Sequence, residues 1–195
     1  MSFINFVRKE INCKVVYWGP GLCGKTTNIR YIYDHTDPDA RGRLIESDPQ
    51  AERGLSFDFL TFFAGEIRGF KTRFHLYSVP GNVFRTESRK AVLKNVDGVV
   101  FVVDSDPDRM EANEASLAGL IQDLRGYGYE PESLPLVFQY NKRDLSDAVP
   151  LDVLRSAFNL REVPEFEAKA VEGVGVFETL KTITKMVLME LKRSQ

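Results

Sequence analysis

Residues 19–26 read Gly-Pro-Gly-Leu-Cys-Gly-Lys-Thr, which satisfies every fixed position of the phosphate-binding P-loop pattern. This octapeptide constrains the fold more than any other feature, because the pattern has meaning only between a buried strand and the start of a helix. Both flanks comply. Ile11–Trp18 carries Val15, Val16, Tyr17 and Trp18 and reads as a buried strand; Thr27–Tyr33 lacks glycine and proline and reads as a helix. In that setting Gly19, Gly21, Leu22, Cys23, Gly24 and Thr27 are expected to line the phosphates, with the helix N-terminus adding its dipole. Lys25 would reach the β- and γ-phosphates, and the Thr26 hydroxyl would ligate Mg²⁺.

A second motif selects the base. Asn141-Lys142-Arg143-Asp144 follows the apolar run Leu136-Val137-Phe138-Gln139-Tyr140, which reads as another buried strand. An ionised Asp accepts only, so Asp144 suits a base edge with two adjacent donors. Guanine offers that pair in its ring N–H and exocyclic amine, whereas adenine would set a ring acceptor against the carboxylate. The aliphatic stem of Lys142 could lie along the base, and the Asn141 amide could brace the loop. On its own the tetrapeptide could be a charged turn; at a strand end, after a P-loop, it reads as a guanine reader.

Composition narrows the class further. At 195 residues the chain suits one substantial core, and residues 1–195 are expected to form a single GTP-binding domain. Lysine and arginine total 26 against 28 acidic residues, a net charge of −2, which argues against a nucleic-acid partner. Cys13 and Cys23, one in a strand and one in the loop, do not form a disulfide framework, and a reduced cytoplasmic setting is expected. Cys23 could be a reactive thiol or a small filler of the loop. No apolar run approaches membrane-spanning length, the chain opens Met-Ser and its last residues hold no cysteine. No direct membrane anchor is therefore expected, and recruitment to a membrane or pole would come through a protein partner or weak charge contact.

Apolar runs alternate with helical patterns along the rest of the chain. Leu55–Ala64 and Lys71–Val79 read as a β-hairpin, with Gly65 and Gly69 between the strands and Leu55, Phe57, Phe59 and Phe63 on one face. Gly98–Asp104 is a buried strand, residues 107–124 a helix, Phe166–Ala170 a short strand and Gly175–Lys192 an amphipathic helix. The expected class is α/β: a Ras-like P-loop fold with a mainly parallel sheet, one antiparallel edge strand and helices on both faces. Ligand then belongs at the carboxyl ends of the strands. There the P-loop, Ser78-Val79-Pro80-Gly81 and Asn141–Asp144 can converge, with Gly81 on phosphate and Ser78 near the metal, directly or through water. Ala168 could bring its backbone N–H to the guanine carbonyl beside Lys169, although an ordinary strand end fits those residues as well. His35 and His75 lack metal-ligand spacing. Residues 38–49 read either as a nucleotide-sensing loop or as a plain surface loop.

The blocks Met1–Asn5, Glu10–Cys13, Gly19–Thr27, Gly65–Tyr77, Val96–Val102 and Gln139–Leu145 resemble the MglA family, the bacterial Ras-like GTPases of gliding motility and cell polarity. The similarity runs across almost the whole chain. It implies a GTP-loaded form that gathers at a cell pole and binds polarity and motility effectors, and a GDP form that disperses. It also implies a roadblock-fold homodimer of the MglB type that accelerates hydrolysis, and a strand near Leu55–Ala64 that slides between states. Arg53 is retained from the family pattern, where it serves as an intrinsic arginine finger, a device that contributes about 10³–10⁵ in rate.

Two departures bear on that activity. Where the family usually has Arg-Thr-Leu, this chain has Arg53-Gly54-Leu55, and Gly54 has no hydroxyl for Mg²⁺ or the γ-phosphate. Where it usually has Pro-Gly-Gln, this chain has Pro80-Gly81-Asn82. Asn82 offers the amide that orients the attacking water on a stem one methylene shorter, and an error of about 1 Å can cost roughly 100-fold. Two readings stay open: a slow GTPase switch in which Arg53 and Asn82 act on GTP, and a GTP- or GDP-binding scaffold with negligible turnover.

Overall fold

Strict alternation along the central strands builds two cores back to back. In Glu10–Trp18, residues Cys13, Val15 and Tyr17 join one apolar cluster, while Val16 and Trp18 join the other. Gly98–Asp104 does the same with Val100 and Val102 against Val99, Phe101 and Val103, and all its residues are buried. A strand apolar on both faces must be covered on both. The computed structural model describes residues 3–46, 57–79 and 92–193, and in them helices pack on both faces of the sheet.

The described elements, in chain order, are β1 (Phe3–Asn5), β2 (Glu10–Trp18), α1 (Lys25–Asp34), β3 (Asp58–Ile67), β4 (Phe70–Ser78) and β5 (Gly98–Asp104). They continue with α2 (Met110–Gly126), β6 (Leu136–Asn141), α3 (Leu151–Phe158), β7 (Glu165–Glu167) and α4 (Val176–Arg193). The sheet order is β3-β4-β2-β5-β6-β7. Strands β4, β2, β5, β6 and β7 are parallel and β3 is the antiparallel edge strand. Ile29 and Ile32 of α1 and Val176, Leu180, Ile183 and Val187 of α4 cover one face; Leu120 and Leu124 of α2 and Leu154 and Phe158 of α3 cover the other. A Cβ at Gly98 would stand 2.7 Å from Val187, so glycine there lets α4 lie close against β5.

The expected class is therefore the observed one, with local differences. β1 adds a second antiparallel pairing, to Glu10–Asn12, on the edge of β2 that β5 joins only from Val15. Three residues are too few for alternation to announce a strand. Helix α3 was likewise unforeseen, and β7 lies at Glu165–Glu167 rather than 166–170. The hairpin runs further toward its turn than its pattern suggests, with β3 continuing to Ile67 and β4 starting at Phe70. Its turn is Arg68-Gly69, with φ of +50° and +79°, the paired left-handed conformation of a two-residue type I′ turn. Gly65, at φ +95°, sits inside β3 where the register shifts between Phe63 and Glu66. Leu55 lies outside the described residues.

Phe57, Phe59 and Phe63 share a face of the hairpin, as expected, and the cluster around Phe74 and Leu76 forms on the other face. Leu60 is fully buried and Phe62 packs on Phe74, so even-numbered residues of β3 supply the core. Phe57, Phe59 and Phe63 lie on the opposite face, where Phe59 meets the rings of His75 and Tyr77 and Phe63 is 39% exposed. The same face carries a relay across three strands. With the imidazole neutral, His75 Nδ1 accepts from the Thr61 hydroxyl (3.0 Å) and Nε2–H donates to Asn12 Oδ1 (2.9 Å). Burial, helped by Arg73 and Lys14, lowers the His75 pKa. A histidine that protonates later in the folded chain than in the unfolded chain makes stability fall with pH below its unfolded value of about 6.5. Urea unfolding at pH 7.5 and 5.5 is expected to show a smaller stability loss on acidification for His75→Gln than for the parent chain.

Candidate nucleotide-binding site

Because β4, β2, β5, β6 and β7 run parallel, their carboxyl ends meet along one edge of the sheet, and every expected site residue that is described lies there. The P-loop leaves β2 at Trp18. A Cβ at Gly19 would collide with the Val102 carbonyl and one at Gly24 with the Asn141 amide, so glycine at both positions lets the loop seat against β5 and β6. Gly24, at φ +101°, caps α1, which begins at Lys25. Lys25 is 5% exposed; its ammonium donates to the carbonyls of Pro20 (2.5 Å) and Gly19 (3.1 Å) and so lies within the curve of the loop. Leu22 stands at the tip with φ +65° and Thr27 follows on the first turn of α1. Burial pushes the Cys23 thiol up more than the Lys25 ammonium pulls it down. A protonated, buried thiol is poorly nucleophilic, which favours the loop-filler reading.

The Thr26 hydroxyl donates to Asp58 Oδ2 at 2.5 Å. Asp58 is 2% exposed and pairs in register with Ser78, itself 1% exposed, so β3 sets a carboxylate directly opposite the serine at the end of β4. The end of β4 itself carries a hydroxyl at Ser78, and the acid opposite it comes from the neighbouring strand. Sequence reasoning missed Asp58, which reads as one polar residue in an aromatic strand. Hydroxyl and carboxylate oxygens are the donors Mg²⁺ prefers, with phosphates and water completing its shell. The residues present fit that ion. Among the described residues, no three His, Cys, Asp or Glu side chains cluster as a self-sufficient metal site.

At the end of β6, Asn141 is a brace on both sides. Its Nδ2 donates to the Cys23 carbonyl (2.8 Å) and its Oδ1 accepts from the Ala170 N–H (3.0 Å), locking the P-loop to the segment after β7. Lys142 adopts φ +64° and its ammonium meets Asp104 Oδ2 at 2.6 Å. Arg143 turns away, to the Val149 carbonyl and Glu167, which leaves Asp144 exposed beside the site. The Ala168 expectation needs correction: its N–H donates to the Tyr140 carbonyl at 2.8 Å, continuing the β6–β7 ladder, and is not presented to a base. Lys169 is partly exposed, 3.7 Å from Glu172.

Three further features went unforeseen. Asp104, fully buried at the end of an apolar strand, anchors Lys142 and lies 3.8 Å from Arg109. Gln139 Nε2 donates to Asn28 Oδ1 and Thr179 Oγ1, both at 3.0 Å, and Asn28 donates to the Gly24 carbonyl, tying the start of α1 to α4 through the core. Residues 41–45 lie along the outer edge of β3, with Ile45 and Phe59 exchanging backbone bonds and Arg30 pairing with Glu46. Arg53, Gly54, Gly81 and Asn82 fall outside the described residues. An apolar cavity of about 340 Å³, lined by Phe6, Ile11, Ile67, Phe70, Leu188 and Leu191 among others, opens at the amino ends of the strands, away from this site.

Comparison with known proteins places the geometry in a family. Residues 60–187 match the model of the ADP-ribosylation factor family. Over 193 residues, 99% of each chain, the sequence is 58% identical to the mutual gliding-motility protein MglA of Myxococcus xanthus. The chain belongs to the Arf/MglA family of Ras-like small GTPases. Its members bind guanine nucleotides and hydrolyse GTP, and this chain is an enzyme of that class. A more distant relative, the small COPII coat GTPase SAR1 of Giardia intestinalis, is 26% identical over 92 residues, covering 47% of this chain and 46% of its own. No described helix of this family member is long and apolar enough to cross a membrane.

Proposed function

We propose that this GTPase is a slow nucleotide switch for cell polarity and gliding motility, accelerated by a roadblock-fold homodimer of the MglB type. The observation that carries the chemistry is the Thr26 hydroxyl 2.5 Å from the Asp58 carboxylate, beside Lys25 and on the sheet edge that holds Asn141 and Asp144. The P-loop backbone from Gly19 to Thr27, with Gly81, cradles the phosphates. Lys25 leaves the loop carbonyls to neutralise the β- and γ-phosphates. Thr26 and Asp58, with Ser78 beside them, would hold Mg²⁺, and the ion would supply charge to offset the phosphates. Asp144 reads the guanine edge; Asn141, Lys142 and Lys169 support the base. Arg53 stabilises charge developing in the transition state and Asn82 orients the attacking water. Residues 1–195 act as one such domain in the cytoplasm, drawn to a pole with GTP bound and reading out to polarity and motility effectors.

Single-turnover hydrolysis of bound GTP, with and without the roadblock-type partner, tests this reading. The expected result is slow GDP formation that the partner accelerates. Tight GTP binding with no turnover in either condition would make the chain a scaffold instead. Asn82→Gln restores the longer amide stem and is expected to raise the intrinsic rate, by up to roughly 100-fold if reach alone is limiting. A flat rate with GTP still bound would count against the switch and favour the scaffold.

A further inference from the structure

The P-loop and the base-reading loop are linked by a cation that neither motif contains. Arg109 closes the short 3-10 turn Pro107–Arg109 after β5 and stands at the N-cap of α2. Its Nη2 donates to the Gly21 carbonyl at 2.7 Å, and its Nε lies 3.8 Å from Asp104 Oδ2. The same carboxylate oxygen takes the Lys142 ammonium at 2.6 Å. Asp104 is itself immobilised: its N–H and carbonyl both bond the Asn113 amide at 2.9 Å, and its Oδ1 accepts from the Asp106 N–H at 3.2 Å. One buried acid therefore anchors a cation aimed at each end of the site.

The Gly21 carbonyl and the Leu22 N–H belong to one planar trans peptide, so they point to opposite sides of it. A guanidinium that grips the carbonyl from one side thereby aims the Leu22 N–H to the other. Leu22 at φ +65° begins the left-handed bend by which successive N–H groups form an anion nest. We propose that Arg109 is a positioning residue: through the Gly21 carbonyl it orients the Leu22 N–H toward the β-phosphate of a guanosine diphosphate, and so lengthens nucleotide residence. This rests on the nucleotide-binding reading above. Arg109 does not touch the nucleotide; it acts by holding the peptide plane, with Asp104 beside its guanidinium.

The test is displacement of fluorescently labelled GDP by excess unlabelled GDP, together with competition by GMP, which lacks the β-phosphate. Arg109→Ala is expected to speed GDP release about tenfold or more, as loss of a charge-assisted bond implies, while GMP affinity stays within about twofold. Arg109→Lys retains a donor and is expected to fall between the two. It also serves as the second variant if the alanine form is misfolded by circular dichroism. Equal weakening of GDP and GMP would make Arg109 a general support of the loop and overturn the proposal, as would an unchanged GDP release rate. Failure of the parent chain to bind GDP at all would instead overturn the nucleotide reading of the site.

Discussion

Asp144→Asn is expected to lower affinity for GDP roughly 10³-fold and to raise affinity for xanthosine diphosphate. On the proposed reading, the carboxylate presents acceptors to both donors of guanine. An asparagine amide turns one of those acceptors into an N–H₂ group, which opposes the guanine amine donor against donor. Xanthine carries a carbonyl where guanine carries that amine, so the amide then finds a partner at each position. Asp144 is exposed and lies outside both apolar clusters, so the substitution should leave the fold intact. Competition against labelled GDP by GDP and by xanthosine diphosphate checks it. Equal affinities for GDP before and after substitution would remove Asp144 from the base site.

Asp58→Asn is the second large expected effect. The change keeps shape and a polar partner for Thr26 but removes the negative charge beside that hydroxyl. Single-turnover GTP hydrolysis is expected to fall about 100-fold, and the Mg²⁺ concentration needed for half-maximal rate to rise. Binding of GDP in the presence of a chelator should change little, because the phosphate cradle and base loop are untouched. If the hydrolysis rate and its Mg²⁺ dependence are both unaltered, the Thr26–Asp58 bond is only a tie between α1 and β3.

Asp58 and Asp144 stand at opposite ends of what could be read from the chain. Asp144 belongs to a contiguous tetrapeptide after a strand, and local chain geometry brings it to the sheet edge. Asp58 is separated from Thr26 by more than thirty residues, and nothing in the alternation of β3 marks it. Its placement depends on the pairing of Asp58 with Ser78, which the type I′ turn at Arg68-Gly69 and the bulge around Gly65 set together. A slip of one residue would put Phe57 or Phe59 there instead. The same dependence governs the aromatic residues: alternation puts Phe57, Phe59 and Phe63 on one face, but only the register with β4 places Leu60 and Phe62 in the cluster with Phe74 and Leu76.

The site divides along the same line. Glycines where backbones must touch, a lysine at a helix start and apolar strands of period two are properties of neighbouring residues, so the amino-acid sequence determined the α/β class, the P-loop and the Asn141–Asp144 loop. Which acid faces Thr26, which cation grips the Gly21 carbonyl and whether the Ala168 N–H is free were decided only by tertiary structure. Each of those contacts joins segments far apart in the chain, and its geometry exists only once strand order and register have been set by packing two cores against one sheet.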